Sequence, residues 1–523
     1  MQHEILEILK QLMACAGVTN TEQEKNAETW MLDFFRQQPY FQKHPDLCGL
    51  FPIPDDPLGR STVWALVTTE EKTPDTPTVI LMGHHDVVAA DVYGEAEPWA
   101  FDMDNITAHL NEKMLSPEAN TDLLSGEWMF GRGCCDMLGG TAVQMAVLKQ
   151  RAEAVPQGSN EDKGALLFIS VPDEESFSVG MRGTLPLLEK LKEEYCLNYR
   201  LAVCAEPNQR SADGQIQMIY SGSIGKLLPG VLVQGKPVQI GSCREGVNPL
   251  GILSRIVAAT EGDEAFTETC EGEVSVPPVW MYARDLKEGY DFSLPRRAAG
   301  YCNVLTFRKT PAQVLAYFLG KIRAAAESVP QPVAVMTWVT LWQQAKLQEG
   351  FAAFWRETEG RVQMMLQEQH KTYPEVTLWL MQATLDFLKM NKPLVLLGFA
   401  PPYYPAVRSE DMKNAARFEI YKKAITVLQK VKIEPYFPGV SDCSYCGLPA
   451  GTAANAWQAN TPLWGRAYRF DTEALERLQI PFFLFGPWGK DLHQIGERVN
   501  RYSLTEEYPA VLEKLLRCVW LTE

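Results

Sequence analysis

Histidine is scarce in this chain, seven residues in 523, and its positions beside carboxylates mark where chemistry is to be sought. Gly83-His84-His85-Asp86 sets two imidazoles next to a carboxylate, and Asp173-Glu174-Glu175 sets three carboxylates in a row. Glu206 follows Ala205, Asp136 follows Gly131-Arg132-Gly133-Cys134-Cys135, and His493 follows Gly489-Lys490-Asp491-Leu492. Each has an ordinary explanation when taken singly. Asp136 can cap a helix, His84 can be a hydrogen-bonded core histidine, and Glu174 and Glu175 can be a solvated loop. Together they concentrate negative charge and nitrogen donors without an obvious cation among them. Mixed imidazole and carboxylate donors suit zinc, with cobalt or manganese next. Two imidazoles and three carboxylates can hold two ions if one carboxylate bridges.

Elements must bring these segments together. Residues 78–82, 165–171, 201–205 and 480–485 are short apolar runs that predict buried strands, and 137–150 and 185–194 have helical periodicity. Alternating strands and helices predict an α/β fold, a mostly parallel sheet sandwiched by helices. Each apolar run leads to a polar group: 78–82 to His84, 165–171 to Glu174 and Glu175, 201–205 to Glu206, and 480–485 by a short loop to His493. In a parallel sheet these ends share one edge, where open α/β folds build their sites.

The strand pattern is interrupted. Strands are predicted at 226–233, 301–307, 332–342 and 393–399, with helices at 248–260, 311–328, 351–371 and 376–390. Pro401-Pro402-Tyr403-Tyr404-Pro405 is expected to break regular structure, and 411–431 to form one helix. An inserted α+β domain at 221–405 would then divide a catalytic domain into 1–220 and 406–523.

Composition excludes several classes. Lys plus Arg total 49 against 65 for Asp plus Glu, a net charge of −16, which argues against nucleic acid or anionic lipid as partners. No run of apolar residues is long enough to span a membrane. Residues 1–15 read as an amphipathic helix without the features of a signal peptide, and the twelve cysteines lack the spacing of a disulfide framework. The expected location is the cytoplasm, with reduced thiols. Competing motifs fail: Asp136 stands where a dinucleotide fingerprint needs its third glycine, and Cys443 where a nucleophile elbow needs its last. Cys443 and Cys446 have redox spacing outside a thioredoxin-like context.

The stretches Gly83–Val88, Gly131–Met137, Glu174-Glu175, Ala205-Glu206-Pro207, Pro401–Pro405, Ser441-Asp442, Pro462–Gly465 and Gly489–His493 with Glu497 and Arg498 span most of the chain. In these the sequence resembles the co-catalytic dizinc metallopeptidases, the group containing carboxypeptidase G, aminoacylase and succinyl-diaminopimelate desuccinylase, and within it the arginine-utilisation RocB branch. The resemblance implies that His84 and Glu206 hold one zinc, Glu175 and His493 the other, with Asp136 bridging. It makes Asp86 the group that orients His84 and Glu174 the general base of amide hydrolysis on a small N-acyl amino acid or dipeptide, in amino-acid catabolism. The insert would be a lid that also mediates dimerisation, and Gln239, Asn248, Ser441 and Asp442 would line the substrate pocket. Arg244 and Arg466 are further candidates for gripping a substrate carboxylate.

Gln239 stands where relatives carry a lid histidine, and an amide can donate a hydrogen bond but carries no charge. That departure motivates a second reading, a metal-binding but non-hydrolytic regulatory protein. Leu138 replaces a lysine common in relatives. His85 is expected to point away from the site because successive strand residues face opposite sides. His109, His370, Cys134 and Cys135 are expected to be structural.

Overall fold

The computed structural model describes residues 1–68, 75–155, 164–211, 214–413, 415–428, 431–448 and 454–522. The chain divides into two units, one of Met1–Ser223, Val407–Pro449 and Asp471–Glu523, the other of Ile224–Ala406 and Ala450–Phe470.

The first unit is built on an eight-stranded sheet. Its order is Cys48–Pro52, Ser61–Val67, Ala165–Val171, Thr76–His84, Leu197–Cys204, Phe482–Leu484, Gln217–Tyr220 and Val431–Glu434. Ala165–Val171, Thr76–His84, Leu197–Cys204 and Phe482–Leu484 run parallel, and antiparallel strands flank them. The central strands are buried along almost their whole length, which accounts for their continuous apolar runs. Helices Leu138–Ala154, Val179–Glu194 and Tyr508–Leu521 cover the sheet. Leu138–Ala154 is buried nearly all round over its first three turns. Gly140 permits this, since a Cβ there would stand 2.4 Å from the Ala205 carbonyl oxygen.

The second unit has a five-stranded sheet ordered Val279–Asp285, Arg297–Thr306, Gly225–Gln234, Leu394–Tyr404 and Ala334–Thr337, antiparallel except for the last pair. Helices Pro249–Thr260, Pro311–Glu327, Trp338–Lys346, Phe351–Gln367 and Tyr373–Phe387 accompany it.

Four local expectations need correction. The expected strand 332–342 is a short strand followed by a helix from Trp338, because Trp338, Leu341 and Ala345 turn one helical face into the core. Leu394–Tyr404 continues through Pro401 and Pro402. Its ladder shifts register between Ala400 and Tyr404, and Ala334–Thr337 pairs only as far as Leu397, so the prolines fall where no ladder donor is needed. The expected helix 411–431 spans only Ala415–Leu428. The expected boundaries 221–405 and 406–523 also miss the return of 450–470 to the second unit. There Leu463 joins the core around Trp338 and Leu396, and Trp457 stacks on Tyr403 with ring centroids 5.0 Å apart.

Candidate metal centre

Sheet register decides what meets at the rim. His84 ends its strand opposite Val171, and Met82 lies opposite Cys204. The residues just past Val171 and Cys204 therefore leave the sheet beside His84. Asp136 closes a loop in which Gly133 holds φ at 79°, a left-handed conformation that favours glycine.

The donor atoms converge. Asp136 Oδ1 lies 3.3 Å from His84 Nε2, and its Oδ2 lies 3.1 Å from His493 Nε2. His493 Nε2 is also 3.0 Å from Glu175 Oε1, and His84 Nε2 is 3.9 Å from Glu174 Oε2. Donors of His84, Asp136 and Glu175 fall within 4.8 Å of one another, as do those of His84, Glu174 and Glu206. The structure thus brings together His84, Asp136, Glu174, Glu175, Glu206 and His493. These residues could hold metal: the donors are all hard or borderline, and the buried His84 Nε2 makes no hydrogen bond.

Electrostatics point the same way. Burial, with Asp136 next, raises the Glu206 and Glu175 carboxyls. Glu174 is raised well above the carboxylate range by burial and by Glu206, Asp442 and Glu175, with His84 opposing. At Asp136 burial disfavours the charge, but the His493 and His84 imidazoles outweigh it and hold the carboxyl well below its usual value. His493 is pushed up to about 10 by Asp136 and Glu175. His84 is raised despite its burial by Asp136 and Asp86. More carboxylates share this rim than its two imidazoles can neutralise.

Buried groups fix the rim from behind. His84 Nδ1 lies 2.8 Å from the Asp86 carbonyl oxygen and 3.5 Å from its carboxylate. That carboxylate accepts hydrogen bonds from the backbone nitrogens of Glu174 and Glu175 at 3.0 and 3.1 Å, tying two of the converging segments together. Glu497 accepts from the backbone nitrogens of Gly133, Cys135 and Asp136 at 2.8, 3.4 and 3.3 Å, and pairs with Arg132, which also donates to the His493 carbonyl at 3.1 Å. Arg60 joins Glu24, Asp56 and Asp173 at 2.7, 2.8 and 3.0 Å, anchoring the start of the Glu174 loop. Sequence reasoning assigned no role to Glu497, Arg132, Arg60, Glu24 or Asp173. The available signal was charge flanked by apolar and glycine residues, but pairings such as Arg132 with Glu497 have no local pattern.

The other site candidates fall in varied places. His85 Nδ1 lies 3.1 Å from Ser170 Oγ and its Nε2 3.8 Å from Glu28, away from the rim. Asp442 is buried and pushed up to about 7 by burial, close enough to act on Glu174. Ser441 accepts from the Cys443 nitrogen at 3.1 Å as a local cap. In the second unit, Gln239 accepts from the Gly241 nitrogen at 2.6 Å and Asn248 from that of Leu250 at 3.1 Å, so both cap helical turns. Arg466 stacks on Trp355 and Trp342 at 3.6 and 4.6 Å, and Arg244 is exposed. His109 stacks on Trp99, and among the described residues no disulfide joins the cysteines.

Residues 80–517 match Peptidase family M20/M25/M40, and the chain belongs to that family of metallopeptidases and amidohydrolases. It is 31% identical to the uncharacterized protein YqjN of Bacillus subtilis strain 168 over 97% of this chain and 95% of the relative. It is 25% identical to protein RocB of the same organism over 96% of this chain and 92% of that one. A solved structure of the Bacillus subtilis YXEP protein, a dinuclear metal binding peptidase from the M20 family, superposes with a TM-score of 0.52 at 11% identity, over 100% of this chain and 99% of that one. Among the described residues, no helix is long and apolar enough to cross a membrane.

Proposed function

We infer that the chain hydrolyses an amide or peptide bond in a small N-acyl amino acid or dipeptide. His84 and Glu206 would hold one divalent cation and Glu175 and His493 a second, with Asp136 shared. The observation that carries this reading is Asp136, whose two oxygens each face a different imidazole at 3.3 and 3.1 Å. Two bound cations, zinc first and cobalt or manganese next, would acidify water and polarise a carbonyl oxygen.

The rest falls to the chain. Glu174, largely buried and held protonatable by its neighbours, accepts a proton from the attacking water and returns it to the leaving amine. Asp86 fixes His84 and the Glu174 backbone, so that the base and the donor set keep one geometry. Gln239, Asn248, Ser441 and Asp442 remain proposed substrate contacts.

A place in amino-acid catabolism, arginine included, belongs to this reading as implied by the motif resemblance, and the cytoplasm as expected from the cysteine usage. The exposed Val279 and Met281 on the edge strand Val279–Asp285 support a dimer surface on the second unit, which light scattering would test.

The primary test is metal content per chain of protein purified without chelator, followed by a screen of N-acyl amino acids and dipeptides. About two equivalents with hydrolysis lost in Glu174→Ala supports the reading. Two equivalents with no hydrolysis of either class favours the non-hydrolytic alternative.

A further inference from the structure

At the opposite edge of the first sheet from the metal centre lies a cavity of about 140 Å³. Strand Leu197–Cys204 joins the two places. Asn198, Tyr199 and Arg200 line the cavity from its first half, and Glu206 follows its far end. Six residues of extended chain put the two ends roughly 20 Å apart.

The cavity is strongly basic in a chain of net charge −16. Lys192, Arg200, Lys413, Arg417 and Arg477 line it, and among the described residues no Asp or Glu does. They come from four segments: helix Val179–Glu194, strand Leu197–Cys204, the Lys413–Arg417 stretch and helix Thr472–Leu478. Arg477 is ion-paired at the margin, 2.7 Å from Glu189 and 3.6 Å from Glu473. Lys413 donates to the Glu476 carbonyl, at 3.2 Å. Among the described residues, Lys192 and Arg417 make no ion pair.

Arg200 donates to the carbonyls of Val519 and Thr522, yet its buried Nε has no partner among the described residues. Burial and the like charge of Arg417 both push its guanidinium below the ordinary value, with Tyr421 and Asp75 acting weakly against them. The Tyr421 hydroxyl, which feels both arginines, is buried without a hydrogen bond to any described residue. Like charges held at one cavity with polar atoms unsatisfied cost free energy unless an anion joins them.

The shape narrows the anion. One planar carboxylate is met by a single guanidinium fork, whereas cations arriving from four segments suit a tetrahedral group with oxygens pointing several ways. A water needs only about 10–15 Å³ of such space, so this cavity admits a phosphoryl group with a small remainder but not a large ligand. We propose that the basic cavity formed by Lys192, Arg200, Lys413, Arg417 and Arg477 is a binding site for a phosphoryl group, as free phosphate or a small phosphate monoester, separate from the metal centre.

Calorimetric titration of the whole protein with inorganic phosphate and with glycerol phosphate, against chloride at matched ionic strength, tests this. Arg417→Ala and Lys192→Ala serve as paired variants whose thermal melts confirm folding, and neither touches the metal centre. Millimolar or tighter binding, weakened at least tenfold in whichever variant folds, is expected. Tighter binding of glycerol phosphate than of phosphate would identify a monoester as the ligand, and the reverse would identify free phosphate. Equal binding by wild type and both variants would place the phosphate elsewhere, the metal centre included, and overturn the proposal. No heat beyond chloride would overturn it too, as would binding of succinate in preference to both phosphates.

Discussion

In the second unit Asp386 accepts two hydrogen bonds from Arg297, at 2.8 and 2.7 Å, and Asp263 accepts from Tyr317 and Lys321 at 2.7 Å each. Both carboxyls are lowered by those partners. At the rim of the first unit Glu174, Glu175 and Glu206 stand beside Asp136 and one another, and all three are raised, with burial the largest cause. The same residue types thus serve two purposes. Where the chain supplies the cation, the carboxylate is structural and complete. Where several buried carboxylates share two imidazoles, the missing charge has to come from outside, and protons occupy its place until it does.

The sharpest way to break this contrast is to withdraw the outside charge. Dialysis against a chelator should lower turnover about a thousandfold or more, the scale of several kcal/mol of transition-state stabilisation. It should also release the rim to its protonated form. His493 is raised to about 10, so near pH 7 it carries a proton that a metal ion must displace. Metal uptake should therefore release protons, and affinity should fall as pH falls. Calorimetry in two buffers of different ionisation enthalpy reads the proton count. Uptake with no release would mean that these imidazoles are not ligands.

Replacing one carboxylate separates its role from that of its neighbours. Glu174→Ala should keep about two metal equivalents while turnover drops at least ~100-fold, the usual scale for loss of a general base. Loss of a metal equivalent as well would instead make Glu174 a ligand alongside His84 and Glu206, a grouping that the distances also allow.

The buried Glu497 tests the shell behind the rim. It is pushed up to about 7 by burial, against the Arg132 charge, and holds three backbone nitrogens of the Asp136 loop. Glu497→Gln keeps the shape but removes the counter-charge of Arg132, so metal affinity should fall roughly 10–100-fold, as for other groups that orient ligands. Competition with a chromogenic chelator measures it. Unchanged affinity would confine Glu497 to fold stability.

How far such positions could be read in advance depended on periodicity. Buried parallel strands write themselves as apolar runs, so the placement of His84 at a strand end, and of Glu174, Glu175 and Glu206 just beyond others, followed from the sequence. The supporting shell did not, because Arg132 and Glu497 lie 365 positions apart and nothing local couples them. The return of 450–470 to the second unit was hidden for a similar reason: Trp457, Leu463 and Tyr468 are plainly apolar, but an apolar residue does not specify which core it joins. Proline misled at 401–402, where the rule that it breaks a ladder applies only to positions whose nitrogen would have donated.

The completed carboxylates of the second unit give the smallest effect and the control for the others. Asp386 is lowered first by its hydrogen bonds to Arg297, so it stabilises the fold above its ordinary pKa of 3.8 and loses that contribution as pH falls through the folded value. Its side chain is 49% exposed, so solvent screening holds the gain to about 1 kcal/mol or less. Asp386→Asn should lower stability by that amount at pH 7, and the difference from wild type should close below about pH 4. Arg297 keeps Gln234 as a hydrogen-bond partner at 2.9 Å, which limits the damage. Denaturant melts at the two pH values read the change, and metal content should not move. A shift in metal content would mean that the carboxylates of the two units are not independent, and the contrast between them would fail.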